Sequence, residues 1–123
     1  MKSKASLPQV GLPARGSRTG RPIMVVLDLL GRRSTLRILW ELRSGAPMTF
    51  RLLEEAADTN PSLLNTRLRE LRATGLVAHE GEGYLLTQDG VALLDALRPF
   101  AKWADQWGKT MQKELAALER LTG

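Results

Sequence analysis

The stretch that decides the fold runs from residue 58 to residue 75 and reads DTNPSLLNTRLRELRATG. It opens with turn residues in the order that a helix start prefers. Asn60 can accept hydrogen bonds from the first free backbone N–H groups, and Pro61 suits the first helical position, where its missing N–H has no partner to lose. The pattern predicts a helix from residue 61 to about residue 73, which Gly75 terminates.

One face of this helix is apolar and the opposite face is polar. At 100° per residue, three leucines share an arc of roughly 60° and predict the buried face: Leu64, Leu68 and Leu71. The opposite face has no acid at its centre and carries the predicted base-reading residues: Ser62, Asn65, Thr66 and Arg69. Asn pairs with adenine, Arg with guanine, and Ser or Thr with either, so this face suits DNA base edges. The competing interpretation is an ordinary solvated helix face, which usually carries more Glu and Lys.

Helical apolar spacing also precedes this stretch. It predicts a first helix that ends at Gly31, with a buried stripe of Ile23, Val26, Leu27 and Leu30. A second helix, capped by Ser34 and ending at Gly45, is predicted to bury Leu36, Leu39, Trp40 and Leu42 or the stem of Arg43. A short extended segment at residues 48–50 and a third helix capped by Thr49 follow.

After Gly75 the pattern changes to strand, tight turn and strand, with Glu80-Gly81-Glu82-Gly83 as the turn. Two short helices, a connecting turn and a hairpin are the order of a winged helix-turn-helix, which places its second helix in the DNA major groove. The predicted fold class is mainly α with a small β-hairpin wing. The winged helix-turn-helix covers about residues 23–87, and a long C-terminal dimerisation helix covers about residues 88–121, with Pro99 expected to kink or split it.

The composition excludes several classes of chemistry. A chain of 123 residues fits one domain. It has no Cys, which excludes disulfides and thiolate chemistry, and its single His, His79, is too few for a His-based triad or metal site. We therefore predict no enzyme activity, no cofactor and no metal. The best apolar run stops at Asp28, and no signal-peptide core follows Lys2 and Lys4, so we expect no membrane partner and a cytoplasmic location.

The net charge of +5 lies at the N-terminus. Residues 1–22 contain five basic residues and no acid, whereas residues 23–123 contain 13 of each. Gly, Pro and Ser dominate residues 1–22, so we predict a basic arm that is disordered in isolation, followed by one domain over residues 23–123. The arm either adds phosphate or minor-groove contacts to DNA or is a solubilising leader or a misassigned start.

A second concentration of positive charge lies around the predicted helix-turn-helix. Between Arg32 and Arg72 there are eight Arg and five acidic residues. Six side chains near helix starts are candidates for gripping DNA phosphates: Arg32, Arg33, Arg37, Thr49, Arg51 and Arg67. Arg67 also has the alternative of pairing with Glu70 or Glu54, and the arginines as a group have the alternative of merely solubilising the surface.

The C-terminal helix has a repeat of 3.5 residues. Its apolar or small residues recur at alternating spacings of three and four: Leu94, Leu97, Ala101, Ala104, Gly108, Met111, Leu115 and Leu118. Phe100, Trp103 and Trp107 form a second stripe beside this seam. The pattern predicts a homodimer interface that includes the seam as far as Leu115 together with Trp103 and Trp107. The alternative is that the helix folds back on its own first helix. A cavity between this helix and the core is the alternative site for an apolar effector, and the sequence indicates no ligand residues for it.

Four blocks of the chain resemble the HxlR-type winged-helix transcriptional regulators, which are related to the MarR-type regulators. The blocks are residues 27–31 (LDLLG), 35–42 (TLRILWEL), 64–77 (LNTRLRELRATGLV) and 84–90 (YLLTQDG). The resemblance spans about residues 23–108. It implies a homodimer that binds pseudo-palindromic double-stranded operator DNA, with the helix holding Ser62, Asn65, Thr66 and Arg69 as the reader.

Three positions depart from the pattern of that family. Arg21-Pro22 stands where many members have a Cys-Pro pair, so no thiol sensing is implied. The wing turn is short and carries Glu80 and Glu82, which phosphate would repel. Ser34 replaces an aromatic residue, which leaves either looser packing or a compensating Trp40. We predict a DNA-binding regulator and repressor; the alternative is a winged-helix module that binds another protein rather than specific DNA.

Overall fold

The computed structural model describes residues 7–122. The chain divides into two compact units after Val91. The elements, in chain order, are helix α1 (Pro22–Leu30), helix α2 (Thr35–Glu41), strand β1 (Met48–Thr49), helix α3 (Phe50–Ala56), helix α4 (Pro61–Ala73), strand β2 (Val77–Glu80), strand β3 (Gly83–Leu86) and helix α5 (Gln88–Thr122). This architecture confirms the predicted winged helix-turn-helix with a long C-terminal helix.

The wing is a three-stranded antiparallel sheet in the order β1-β3-β2. The predicted hairpin of β2 and β3 is present, with Val77 paired to Leu86 and Glu80 paired to Gly83. β1 adds to the other side of β3 through Met48 opposite Tyr84. A Cβ atom at position 83 would lie 2.6 Å from the Pro47 Cβ atom, so the close approach of the chain before β1 to the start of β3 requires glycine.

The core of the first unit is formed by the helices and the two longer strands. Its fully or nearly fully buried side chains are Val25, Leu29, Ile38, Leu39, Leu42, Leu53, Leu64, Leu68, Leu71, Val77 and Leu86. The three leucines of α4 are therefore where the helical wheel placed them. This burial orients the opposite face of α4 toward solvent.

The predicted stripe of α1 was wrong in part, since Val26 and Leu30 are half-buried but the other two residues are exposed. Ile23 is 62% exposed and Leu27 is 47% exposed, whereas Val25, Asp28 and Leu29 are buried. The buried face includes a carboxylate, which arginine side chains neutralise. A stripe read only from apolar residues skips Asp28 and selects the neighbouring face.

The predicted stripe of α2 was wrong in part. Leu39 and Leu42 are buried as predicted, but Leu36 is 48% exposed and Trp40 is 53% exposed. The Arg43 guanidinium lies 4.2 Å from the centre of the Trp40 ring, which gives the exposed indole a cation–π partner. Trp40 therefore does not compensate for Ser34 in the core.

The ends of α2 also differ from the prediction. Ser34 occupies the N-cap position with a left-handed φ of 73°, and its side chain forms no capping hydrogen bond. The helix ends at Glu41 rather than at Gly45. The backbone N–H of Leu42 bonds to both Ile38 and Leu39, which tightens the last turn before the chain reaches Gly45.

Helix α5 is one continuous α-helix that contains Pro99, so of the two predicted outcomes the split is wrong and the kink stays a prediction. A proline within a helix removes one backbone hydrogen bond, while the turns on either side keep theirs. Among residues 7–122, no helix is long and apolar enough to cross a membrane.

The described part of the basic arm makes defined local contacts. Ala14 and Ser17 exchange backbone hydrogen bonds of 2.8 and 2.9 Å, and the Gly11 N–H donates to the Gly20 carbonyl at 3.0 Å. Disorder of the isolated arm stays a prediction, because these contacts occur in the presence of the domain. Residues 1–6, which include Lys2 and Lys4, lie outside the described residues.

Candidate nucleic-acid interface

Helix α4 begins as its sequence requires. The Asn60 Oδ1 atom accepts a hydrogen bond from the Leu63 backbone N–H at 2.9 Å, and Pro61 occupies the first turn. Both features were predicted and both are confirmed. They fix where the helix starts and therefore which side chains its faces carry.

The polar face of α4 is accessible in the structure. Ser62, Asn65 and Arg69 are exposed, and Thr66 is half-buried, with its hydroxyl donating to the Ser62 carbonyl at 3.1 Å. Within residues 7–122 the Arg69 guanidinium has no hydrogen-bond or ion-pair partner. The structure thus brings the four predicted base-reading residues together on one face of α4, with three of them exposed and Thr66 half-buried.

Five charged side chains form a chain of contacts from the arm to α4, which we call the charge chain: Arg15, Asp28, Arg32, Glu70 and Arg67. Glu70 is buried and lies between two guanidinium groups. Arg32 contacts one carboxylate oxygen of Glu70, and the Arg67 Nη1 atom lies 2.9 Å from the other. Each carboxylate in the charge chain therefore has an arginine on both sides.

The charge chain depresses the pKa of Asp28. Burial of the carboxyl group would raise its pKa, but the hydrogen bonds and positive charges of Arg15 and Arg32 outweigh burial and hold the pKa below its ordinary value of 3.8. The folded protein therefore binds the Asp28 proton less tightly than the unfolded chain does. This contribution to stability is present above the ordinary pKa and is lost as the pH falls through the lowered pKa.

Acidification is therefore expected to remove the stability difference between the wild type and the Asp28→Asn variant. Near pH 7 the variant should unfold at lower urea concentration, and the gap should narrow as the pH falls through the lowered pKa, below the ordinary value of 3.8, because protonated Asp28 no longer pairs with arginine. Urea unfolding at a series of pH values measures this. Asp95→Asn, at an exposed helix position, is the control and should show no such convergence. A gap for Asp28→Asn that is independent of pH would contradict the sign of the shift.

The six predicted phosphate-binding residues differ in whether the protein itself already supplies a partner for the side chain. Arg32 and Arg67 direct their guanidinium groups at Glu70, and Arg67 Nε also donates to the Arg33 carbonyl at 2.8 Å. The pairing of Arg67 with Glu70, one of its two predicted alternatives, is thus observed. Arg33 and Arg51 remain exposed at the surface of the domain.

Two further candidates have local structural partners. Arg37 Nε lies 2.8 Å from Glu41 Oε2, and Arg37 Nη2 donates to the Ala56 carbonyl at 2.9 Å, so it ties α2 to the end of α3. The Thr49 hydroxyl caps α3 by accepting from the Leu52 N–H at 3.2 Å, as predicted. Both residues are nevertheless exposed. A role in phosphate binding stays a prediction for all six residues.

The tip of the wing is short and acidic. Glu80, Gly81 and Glu82 are exposed around a two-residue turn, with Gly81 at a φ of 59°. Below the tip, His79 stacks on Tyr84 with ring centres 4.1 Å apart, which gives the single histidine a structural partner.

Helix α5 carries the predicted dimer residues in two states of exposure. The half-buried ones are Leu94, Leu97, Gly108 and Met111. The exposed ones are Ala101, Trp103, Ala104, Trp107 and Leu115. The Trp103 ring stacks on Trp107 at 6.0 Å and contacts Phe100 at 5.9 Å, and these aromatic side chains are more than half exposed. Their place in a dimer interface stays a prediction.

Two contacts were not predicted from the sequence: the ion pair of Arg15 with Asp28 and the packing of Arg43 on the Trp40 ring. Asp28 and Arg32 are four residues apart, but Arg32 lies beyond the end of α1 at Leu30, so their ion pair does not lie within one helix. No local signal joins Arg15 to Asp28, because 13 residues and a turn separate them.

Comparison with known proteins identifies the family of this fold and this polar helix face. The model of the HxlR-like helix-turn-helix family matches residues 29–112, more than half of the chain. The chain belongs to this family. The resemblance read from the sequence is confirmed, and the protein is a helix-turn-helix transcriptional regulator.

Individual relatives agree with this HxlR-like assignment. An uncharacterized HTH-type transcriptional regulator of Methanocaldococcus jannaschii, MJ0925, is 28% identical over 89 residues, which cover 68% of this chain and 83% of the relative. Quinone-bound YodB from B. subtilis superimposes with a TM-score of 0.66 at 29% identity, covering 69% of this chain and 97% of YodB. The Mycobacterium tuberculosis MarR family protein Rv2887 gives a TM-score of 0.57 at 25% identity, covering 79% of each chain.

Proposed function

We propose that this regulator is a homodimeric repressor that binds an inverted-repeat operator and reads each half-site with α4 in the major groove. The observation that carries the proposal is the face of α4 formed by Ser62, Asn65, Thr66 and Arg69. It has the donors and acceptors for base edges, it has no acid, and among residues 7–122 its side chains at Ser62, Asn65 and Arg69 are exposed. The buried leucines on the other side hold this face outward.

The charge distribution around α4 supports a division of labour among the arginines. Arg33, Arg37 and Arg51 are exposed and are proposed to contact phosphates, together with the Thr49 hydroxyl at the start of α3. Arg32 and Arg67 are proposed to hold α4 in place through Glu70, because their guanidinium groups already contact a buried carboxylate.

Self-association is supported by apolar side chains that lie at the surface of each unit. Helix α5 exposes Leu115 of the seam and the two tryptophans of the stripe beside it, Trp103 and Trp107. Helix α1 exposes Ile23 and Leu27. Exposed apolar surface of this extent is typical of protein interfaces. A two-fold dimer would place its two copies of α4 about 34 Å apart, one turn of DNA, which fits an inverted repeat. Such a dimer bound across a promoter would exclude RNA polymerase, and for this reason we propose that the protein represses transcription. Its proposed target is chromosomal DNA in the cytoplasm.

Selection of bound sequences from a random pool of duplex DNA tests the proposal. We expect an inverted repeat whose half-site centres are about one helical turn apart. A plot of log K against log salt for the selected site should have a slope of several units. Enrichment of no sequence, together with salt-insensitive binding, would instead favour the module that docks another protein.

The acidic wing is expected to weaken DNA binding. The variant Glu80→Lys/Glu82→Lys should bind all DNA sequences roughly tenfold more tightly at low salt, because two repulsive charges beside the phosphates become attractive. Fluorescence anisotropy with selected and scrambled duplexes measures the effect. Glu114→Lys/Glu119→Lys on α5 changes the net charge equally and is the control. If both variants gain equally, the wing does not approach the DNA backbone.

Gly108 offers a test of the helix seam. Nothing in the described structure lies within 4 Å of a Cβ atom built at this position, so alanine fits the single chain and should strengthen α5. In a closely packed dimer the added methyl group would overpack the seam, and the dimer dissociation constant should rise about tenfold. Sedimentation equilibrium measures this, with Gln106→Ala on the opposite face of the helix as the control. A dimer of unchanged or greater strength in Gly108→Ala would remove Gly108 from the interface.

A further inference from the structure

We propose that Arg15 of the basic arm is a positioning residue for DNA reading. It fixes the orientation of α4 through the contacts of Asp28, Arg32 and Glu70. The inference rests on the proposed function of α4 as the reading helix. It assigns to the arm a role that does not require the arm to touch DNA.

The first link joins the arm to α1. Arg15 Nε contacts Asp28 Oδ1, and Arg15 Nη2 donates to the Asp28 backbone carbonyl at 2.8 Å. One guanidinium thus holds both the side chain and the main chain of Asp28 near the end of α1. The Arg15 side chain is 67% exposed, whereas that of Asp28 is 8% exposed, so the arm caps a carboxylate that the domain has already buried.

The second link joins α1 to α4. The other oxygen of Asp28 lies 3.2 Å from Arg32 Nη2, and the Nη1 atom of the same guanidinium contacts Glu70 Oε2. Arg32 is therefore shared between a carboxylate of α1 and a carboxylate of α4. Glu70 directly follows Arg69 in α4, so a change in how Glu70 is held alters the orientation of the proposed reading side chain.

The alternation of charge explains why Arg15 matters to this arrangement. With Arg15 in place, each of the two carboxylates contacts two guanidinium groups. Without Arg15, Asp28 has Arg32 as its remaining partner in the charge chain and draws it away from Glu70, because a buried carboxylate needs compensation. A cleft of about 690 Å³ bordered by Arg15, Asp28, Arg32 and Arg67 leaves room for these side chains to move.

Binding measurements on the full chain distinguish positioning from direct contact. Arg15→Ala should weaken binding to the selected operator about fivefold, with less than a twofold change on scrambled DNA and an unchanged salt slope. Arg15→Lys, which keeps the charge but loses the two-point grip, should fall between Arg15→Ala and wild type. Arg18→Ala, at an exposed arginine of the same arm, is the matched control and should not discriminate between the two duplexes.

A double-mutant cycle with Arg69 tests the route of the effect. If Arg15 acts by orienting α4, its removal should change operator affinity much less in the Arg69→Ala background than in wild type. Equal losses on operator and scrambled DNA, or a salt slope reduced by about one, would show that Arg15 contacts phosphate. Additive losses in the cycle would show that Arg15 acts independently of Arg69. Any of these three results would overturn the proposal. A lowered thermal stability with unchanged operator affinity would overturn it as well.

Hydrogen exchange of the free protein separates this inference from the proposed function. Amides of α4 should exchange faster in Arg15→Ala than in Arg18→Ala, because α4 is held less firmly. Failure of the wild type to select any DNA sequence would defeat the proposed function while leaving this exchange result to be observed. A wild type that binds an operator, with identical α4 exchange in the two variants, would defeat the positioning role alone.

Discussion

Arg69→Ala is expected to weaken binding to the selected operator by about 1–3 kcal/mol, roughly a 5- to 150-fold loss. The Arg69 guanidinium is exposed on α4 and, within residues 7–122, has no partner that must be displaced before it meets a base. A bidentate contact with guanine would disappear on truncation. Mobility-shift titrations with the operator and with a duplex scrambled at the half-sites measure the loss.

Two control variants separate base reading from phosphate contact. Arg33→Ala should weaken both duplexes to a similar extent and reduce the salt slope by about one. Arg72→Ala, an exposed arginine in the last turn of the same helix, removes an equal charge outside the proposed reading face. If Arg69→Ala behaves like Arg33→Ala on both duplexes, Arg69 binds the backbone and the assignment of the reading face is wrong.

Glu70→Gln is expected to lower the free energy of unfolding by about 3 kcal/mol. Glu70 is 3% exposed, and its carboxylate contacts Arg32 and Arg67, whose side chains are 19% and 15% exposed. The neutral amide would remove the negative charge that lies between these two largely buried guanidinium groups. Urea unfolding near pH 7, followed by circular dichroism, measures the change.

Glu55→Gln provides the matched control for this substitution. Glu55 also lies on a helix and faces an arginine, but its carboxylate is 3.9 Å from Arg51 and both side chains are largely exposed. Because water screens such a pair, the variant should cost less than about 0.5 kcal/mol. A similar small effect of Glu70→Gln would show that the charge chain does not brace α4.

The orientation of α4 could be predicted because its signals are local and periodic. Asn60 caps the helix through Leu63, three residues away, and the leucines recur at helical spacing, so a short window contains both the start and the buried face. The hairpin of the wing was predictable for the same reason. Strand β1 was predicted only as an extended segment, because its pairing with β3, Met48 opposite Tyr84, spans more than thirty residues.

The faces of α1 and α2 were harder to predict because polar groups take part in the burial. Asp28 belongs to the buried face of α1 only because Arg15 and Arg32 neutralise it. Trp40 lies at the surface, where Arg43 covers part of its ring. Apolar periodicity cannot reveal either case, since both depend on a charged partner.

The sequence by itself determined the start of α4, its buried leucine face, the hairpin and the membership of the HxlR-like family. The helix start, the leucine face and the hairpin follow from residues close together in the chain, because capping and helical periodicity act over a few residues. Family membership follows from short blocks of sequence spread along the chain. Only the tertiary structure decided which arginines are held by buried carboxylates and which are exposed. Arg32 lies 38 residues from Glu70, and Arg67 lies 34 residues from the Arg33 carbonyl to which it donates. Such pairs form when packing brings distant segments together, and burial then makes each charge require a specific partner.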